Sequence, residues 1–160
     1  MIKFKVTGKT LLTPEEIVNG MFDESNWTSF NGKGFVPGIK EVDIAVPNKS
    51  IIGTVFKVKN SDGSHHEETI IDFDPNNYLV MQLHKFSSPL NKFASHFKEI
   101  WTYNRQNNFT LFERTFELYP KNYLGSVLLR FIAYFFKKAV EDHSGIIANE
   151  KSVRKSSSTA

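Results

Sequence analysis

The stretch from about Tyr123 to Ile147 constrains the fold most, because large apolar residues recur along it at helical spacing. Positions three and four apart lie on one face of a helix, and that predicted face carries Leu124, Val127, Leu128, Phe131, Ile132, Phe135, Phe136, Ala139 and Val140. Charged residues occupy most of the other positions, so the segment does not read as a membrane span. A helix with so bulky a face has to be covered by the rest of the chain.

The segments before this helix are predicted to form the sheet that covers its apolar face. Between Lys40 and Tyr119 the chain alternates apolar and polar residues in short runs separated by turn sequences such as NSDGS, DPNN and NRQNN. A further alternating run at Ile2, Phe4 and Val6 predicts a first strand, at or near a sheet edge because lysines flank it. The sequence therefore predicts an α+β fold, with seven antiparallel strands curled around the C-terminal helix.

Two short helices are expected after the first strand. Thr13, Pro14 and Glu16 have the spacing of a capping box with proline at the first helical position. Trp27 and Phe30 lie one helical turn apart and predict a second short helix, with both rings closing one end of the sheet.

Composition narrows the function classes. A chain of 160 residues predicts one domain, over 1–148, and the polar residues 149–160 predict a disordered tail. The net charge of +3 is not gathered into a basic stripe, so no nucleic-acid partner is expected. There is no cysteine, and the first residues contain no hydrophobic signal segment, which favours a cytoplasmic protein. Nothing in the sequence predicts a metal or a cofactor.

The hairpin around NRQNN carries a charged pair on its apolar face. If Asn104 faces Phe109, then Glu99 faces Arg114, among inward residues Phe97, Trp101, Tyr103, Phe112, Phe116 and Leu118. An isolated charge there would cost several kcal/mol, so the two side chains should pair or face a water-filled cavity. One interpretation is that Arg114, positioned by Glu99, binds an anionic or carbonyl group of a ligand. The alternatives are an ion pair that fixes the strand register, or a different register that places both outside.

The preceding hairpin, around DPNN, is expected to place Thr69, Ile71 and Phe73 inside with Leu79, Met81 and Leu83. Its outer face would then carry Glu68, Asp72, Gln82 and His84. The run His65 to Glu68 contains metal-ligand residue types, but adjacent strand residues point to opposite faces, so it is interpreted as a solvated strand end. His84 and His96 are single histidines with no orienting carboxylate nearby in sequence.

The order of these elements resembles the START-like, SRPBCC superfamily of polyketide cyclase/dehydrase and lipid-transport proteins, whose helix-grip fold curls a seven-stranded sheet around a C-terminal helix. The supporting stretches are TPEEIVNGMFDESNWTSF, FVPGI, TIIDFDP and FTLFERTFELYP. The resemblance covers about residues 1–148. It implies a hydrophobic cavity between sheet and helix, closed by the loops around FVPGI and SSPLNK, but it implies no particular reaction.

The expected function is binding of a small hydrophobic or amphipathic molecule in that cavity. The expected ligand-binding residues are Glu99, Trp101, Tyr103, Phe112, Arg114, Phe116, Phe131 and Phe135, with Phe97 as a further wall. Two alternatives stay open: a cyclase/aromatase-like enzyme that uses the same cavity, and a protein-interaction module whose core is filled by its own side chains.

Overall fold

A computed structural model of the chain describes residues 1–46 and 50–157, with side chains described through Asn149. It contains one sheet of seven strands in the order β1-β7-β6-β5-β4-β3-β2, and every neighbouring pair is antiparallel. The strands are β1 (Ile2–Thr10), β2 (Ile39–Ala45), β3 (Val55–Asn60), β4 (His65–Asp74), β5 (Tyr78–His84), β6 (Ala94–Gln106) and β7 (Phe109–Pro120). The predicted α+β class and strand number are confirmed, as is the edge position of β1.

Two short helices, α1 (Pro14–Gly20) and α2 (Glu24–Trp27), follow β1 as predicted. The predicted capping box is present: the Glu16 backbone N–H donates to Thr13 Oγ1 at 3.2 Å, and the Thr13 N–H donates to Glu16 Oε2 at 2.7 Å. The Trp27 ring stacks on Phe56 at 4.7 Å between centroids. The two helices therefore close one end of the sheet.

The long helix, α3 (Tyr123–Ser157), lies along the sheet and comes closest to β1 and β7. Its predicted start and its general position are confirmed. The disordered tail predicted for residues 149–160 stays a prediction. The side chains from Glu150 onward and the structure from Ser158 onward lie outside the described residues. No helix in the described part of the chain is long and apolar enough to cross a membrane.

The face of α3 that meets the sheet is the predicted one in the second half of the helix, where Ala139 and Val140 are buried, but it differs in the first half. Leu129 is fully buried and Ala133 is nearly so, whereas Leu124, Val127 and Phe131 are more than half exposed. Small residues decide this orientation: Gly125 lies so close to the Phe93 carbonyl that a Cβ there would overlap the oxygen. Because apolar residues surround the first half of α3 on almost every side, their spacing alone does not select the buried face.

The β6–β7 hairpin has a register two residues away from the predicted one. Gln106 pairs with Phe109 and Trp101 with Arg114, so Glu99 and Arg114 are diagonal rather than directly opposite. A shift by two residues preserves the face on which each side chain lies. Glu99 and Arg114 are accordingly both inside, at 5% exposure each.

The face predicted for β4 is partly wrong, because the register shifts between Ile70 and Asp72 and leaves Ile71 as an extra residue. Phe73 pairs with Leu79 as a partly buried residue, but beyond the bulge the alternation reverses. Ile70 and Glu68 therefore point inward, and Ile71 is exposed. A carboxylate expected at the surface lies in the interior.

Candidate functional site

A cavity of about 690 Å³ separates α3 from the central strands. Apolar side chains form most of its wall, among them Met81, Leu83, Phe97, Phe116, Ile132 and Phe136. Its rim includes Phe35, Ser88 and Leu90 from two loops and Phe131 from α3. The volume lies in the range of small-molecule sites.

Glu99 and Arg114 form a buried ion pair on the cavity wall. Arg114 Nε donates to Glu99 Oε1 at 2.7 Å, and the two side chains are 6% and 7% exposed. Burial raises the pKa of Glu99, an effect that the positive charge of Arg114 opposes and the nearby Glu68 reinforces. The contact with Arg114 therefore favours the charged form of Glu99 against the effect of burial.

The remaining contacts of Arg114 fix its orientation. The guanidinium lies over the Trp101 ring, with Cζ at 4.4 Å from the centroid, and Nη1 reaches His143 Nδ1 at 3.1 Å and Ser144 Oγ at 3.4 Å. Among the described residues none accepts a hydrogen bond from Nη2. Arg114 therefore retains donors that a ligand could use.

His143 is held as a neutral imidazole. Because a guanidinium only donates, Nδ1 of His143 accepts the hydrogen bond from Arg114 and carries no proton. Burial, and secondly the charge of Arg114, lower the pKa of His143 to about 3. At neutral pH this side chain acts as an acceptor toward Arg114.

A second polar pair comes from β4. His66 Nε2 lies 2.9 Å from Glu68 Oε1, and their side chains are 13% and 8% exposed. Both residues also line the cavity. Together with Glu99, Arg114 and His143 they form what we call the polar floor, a group of titratable side chains inside an otherwise apolar cavity.

The structure brings together five of the eight predicted site residues at the cavity: Glu99, Trp101, Arg114, Phe116 and Phe131. The other three do not line it. Tyr103 and Phe112 pack in the core cluster that contains α1, and the Phe112 ring fills the space where Gly8 has no side chain. Phe135 packs under the loop at Gly34.

Sequence reasoning missed three members of the polar floor. His66 and Glu68 were placed on a solvated strand end, and the bulge that turns them inward leaves no clear sequence signal. His143 could have been found, because it lies three residues after Val140 and seven after Phe136, on the buried face of α3. In the described part of the chain no three metal-ligating side chains converge.

Comparison with known proteins identifies the fold. No family model matches the chain, and no curated protein matches its sequence. Among solved structures, Ara h 8.0201 superimposes with a TM-score of 0.62 at 13% identity, covering 91% of this chain and 97% of that one. Major latex-like protein 151 from Panax ginseng gives 0.54 at 12% identity, with 91% and 97% covered.

A third similar structure is the di-domain ARO/CYC BexL from the BE-7585A biosynthetic pathway. It has a TM-score of 0.63 at 14% identity, and the match covers 92% of this chain and 49% of that two-domain chain. At these identities the likeness concerns architecture, since one fold hosts many functions. The chain therefore shares the fold of these structures, an antiparallel sheet curled around a long C-terminal helix.

Proposed function

We propose that the protein binds one small amphipathic molecule in the cavity between α3 and the sheet. The observation that carries the proposal is the polar floor inside an apolar cavity of about 690 Å³. Apolar walls supply affinity through burial, and a few fixed polar groups select orientation. The empty volume also argues against a core filled by the protein's own side chains.

The polar floor favours a neutral acceptor on the ligand, such as a carbonyl or hydroxyl oxygen. Arg114 already contacts Glu99 at 2.7 Å, and Glu68 adds a second carboxylate to the cavity wall. A carboxylate ligand would meet both acidic groups in a low-dielectric site, whereas a carbonyl could accept from Arg114 Nη2 without adding charge. The expected ligand thus has an apolar body and an uncharged oxygen at one end.

A matched set of probes tests this proposal. N-phenyl-1-naphthylamine reports on occupancy of an apolar cavity by fluorescence, and dodecanol and dodecanoate compete as molecules of equal chain length. We expect dodecanol to displace the probe at lower concentration than dodecanoate. Glu99→Leu, which leaves the charge of Arg114 free to pair with the carboxylate of dodecanoate, should narrow or reverse this difference, whereas Arg130→Met, outside the cavity, should preserve it. Absence of probe binding to the wild-type protein would contradict the proposal.

Catalysis in the same cavity is the second candidate. The observation in its favour is the His66–Glu68 pair, in which a carboxylate 2.9 Å from the imidazole fixes the ring that faces the cavity. A histidine oriented by a carboxylate is the usual form of a general base. Turnover of a bound compound that His66→Gln abolishes, while probe binding persists, would establish this function.

A further inference from the structure

The outer side of α3, in its first half, presents apolar side chains that no part of the described chain covers. Leu124 is 67% exposed, Val127 54%, Phe131 52% and Tyr134 57%, and Phe35 from the loop before β2 is 73% exposed beside them. We call these five residues the mouth patch. Contiguous exposed apolar surface of this kind marks an interaction site.

The patch is built as a fixed surface. The Phe35 ring contacts Phe131 and Phe135, with centroids at 5.5 and 5.6 Å. Gly34 has a φ of +57°, and its missing Cβ lets the loop backbone rest on the Phe135 ring. Lys33 Nζ pairs with Asp142 Oδ2 at 2.9 Å and ties the loop to α3. Phe35 is therefore exposed while its backbone is anchored.

Positive charge borders the patch. From Tyr123 to Lys138 the helix contains Arg130, Lys137 and Lys138 and no carboxylate. Glu141 and Asp142 follow on the next turn, but Glu141 lies 3.8 Å from Lys137 and Asp142 is held by Lys33. Lys138 Nζ contacts the Tyr134 hydroxyl and ring rather than an acid. Two cations that border the aromatic surface, Arg130 and Lys138, thus form no ion pair with a carboxylate of the described residues.

This chemistry selects among occupants. A second copy of the chain on this face would add its own Arg130 and Lys138 to a surface whose nearest acids, Glu141 and Asp142, are already paired with lysines, so like charges would accumulate in the contact. An anionic lipid surface instead attracts the cations and accepts aromatic and aliphatic side chains at the headgroup boundary. We propose that the mouth patch docks the protein on anionic lipid bilayers.

The mouth patch lies beside the opening of the cavity. Phe35 and Phe131 also line the rim of the cavity, so a membrane on the patch meets the cavity opening. This inference goes beyond the ligand-binding proposal and does not depend on it. Val127 and Tyr134 do not line the cavity, so their replacement tests docking separately from binding.

Co-sedimentation with vesicles tests the inference. Phosphatidylcholine vesicles that contain phosphatidylserine should bind the protein, pure phosphatidylcholine vesicles should bind it much less, and salt should weaken the binding. Lys138→Gln should lower partitioning about fivefold, the effect of about 1 kcal/mol per cation. Val127→Ser/Tyr134→Ser should lower it at least about tenfold, whereas Leu111→Ser, on the outer face of β7, should leave it unchanged.

Two results would overturn the inference. One is equal partitioning of wild-type protein and the Val127→Ser/Tyr134→Ser variant onto anionic vesicles. The other is a stable dimer in light scattering that this double variant converts to a monomer, which would show a second copy on the patch. Circular dichroism of each variant, compared with the wild type, confirms that the fold is retained.

Discussion

Replacing Arg114 by methionine should leave Glu99 buried without its partner, and the size of the effect follows from the structure. Glu99 is 5% exposed and already has a raised pKa, so after the substitution it will take up a proton rather than remain charged. Protonating a carboxyl whose ordinary pKa is 4.5 costs at most about 3 kcal/mol at pH 7, and the raised pKa of the folded wild type already carries part of this cost. The expected loss therefore lies at the low end of the roughly 3–5 kcal/mol typical of removing one member of a buried pair.

The same reasoning predicts how the loss depends on pH. Protonating Glu99 costs less free energy at lower pH, so the destabilisation by Arg114→Met should shrink to about 1 kcal/mol at pH 5.5. Glu99→Leu leaves a guanidinium that cannot lose its proton, so its destabilisation should not shrink in this way. The double variant should recover most of the loss, because it removes both charges.

Urea unfolding followed by far-ultraviolet circular dichroism, at pH 7 and pH 5.5, measures the free energy of unfolding of the wild type, the two single variants and the double variant. A loss below about 1 kcal/mol for Arg114→Met at pH 7, unchanged at pH 5.5, would refute the buried pair. It would also remove the basis for the polar floor.

Three further substitutions test packing and protonation. In the folded protein the pKa of His143 is about 3, below the ordinary 6.5. Between these pH values the unfolded chain binds more protons than the folded one, so the free energy of unfolding decreases as the pH is lowered. At pH 4.5 the loss is about 3 kcal/mol relative to neutral pH. His143→Asn should remove that part of the acid sensitivity, and equal pH dependence of both proteins in urea unfolding would contradict this. Gly125→Ala should destabilise by at least about 1–3 kcal/mol, because its Cβ meets the Phe93 carbonyl. Gly145→Ala, where the space is open, should stabilise α3 by about 1 kcal/mol in the same assay.

The extent of sequence-based prediction differs between the sheet and the site. Alternation with period two places Glu99 and Arg114 on the inner face even though the predicted register was two residues away, since an even shift preserves the face. The capping box at Thr13 and Glu16 is local, and it was predicted in full. Features that depend on neighbouring residues in the sequence, or on the alternation of inward and outward residues along a strand, can therefore be predicted from the sequence.

The rest of the site depends on a β-bulge and a close backbone contact, which the alternation of residues along the chain does not reveal. One extra residue at Ile71 reverses the alternation and moves Glu68 from the predicted outer face into the cavity. On α3, close approach at Gly125 rotates Phe131 to the rim, although its spacing suggested a buried position. Each is a tertiary packing effect that local propensity does not encode.

Native mass spectrometry of the protein incubated with N-phenyl-1-naphthylamine tests the central claim, that the cavity beneath α3 takes up one small molecule. We expect the 18.4 kDa chain to carry a single bound probe, which denaturation releases. Filling the cavity with Leu83→Trp should abolish the complex, while the surface substitution Leu111→Trp should not. A wild-type protein that stays at the mass of the bare chain, or a complex that Leu83→Trp leaves intact, would contradict the account.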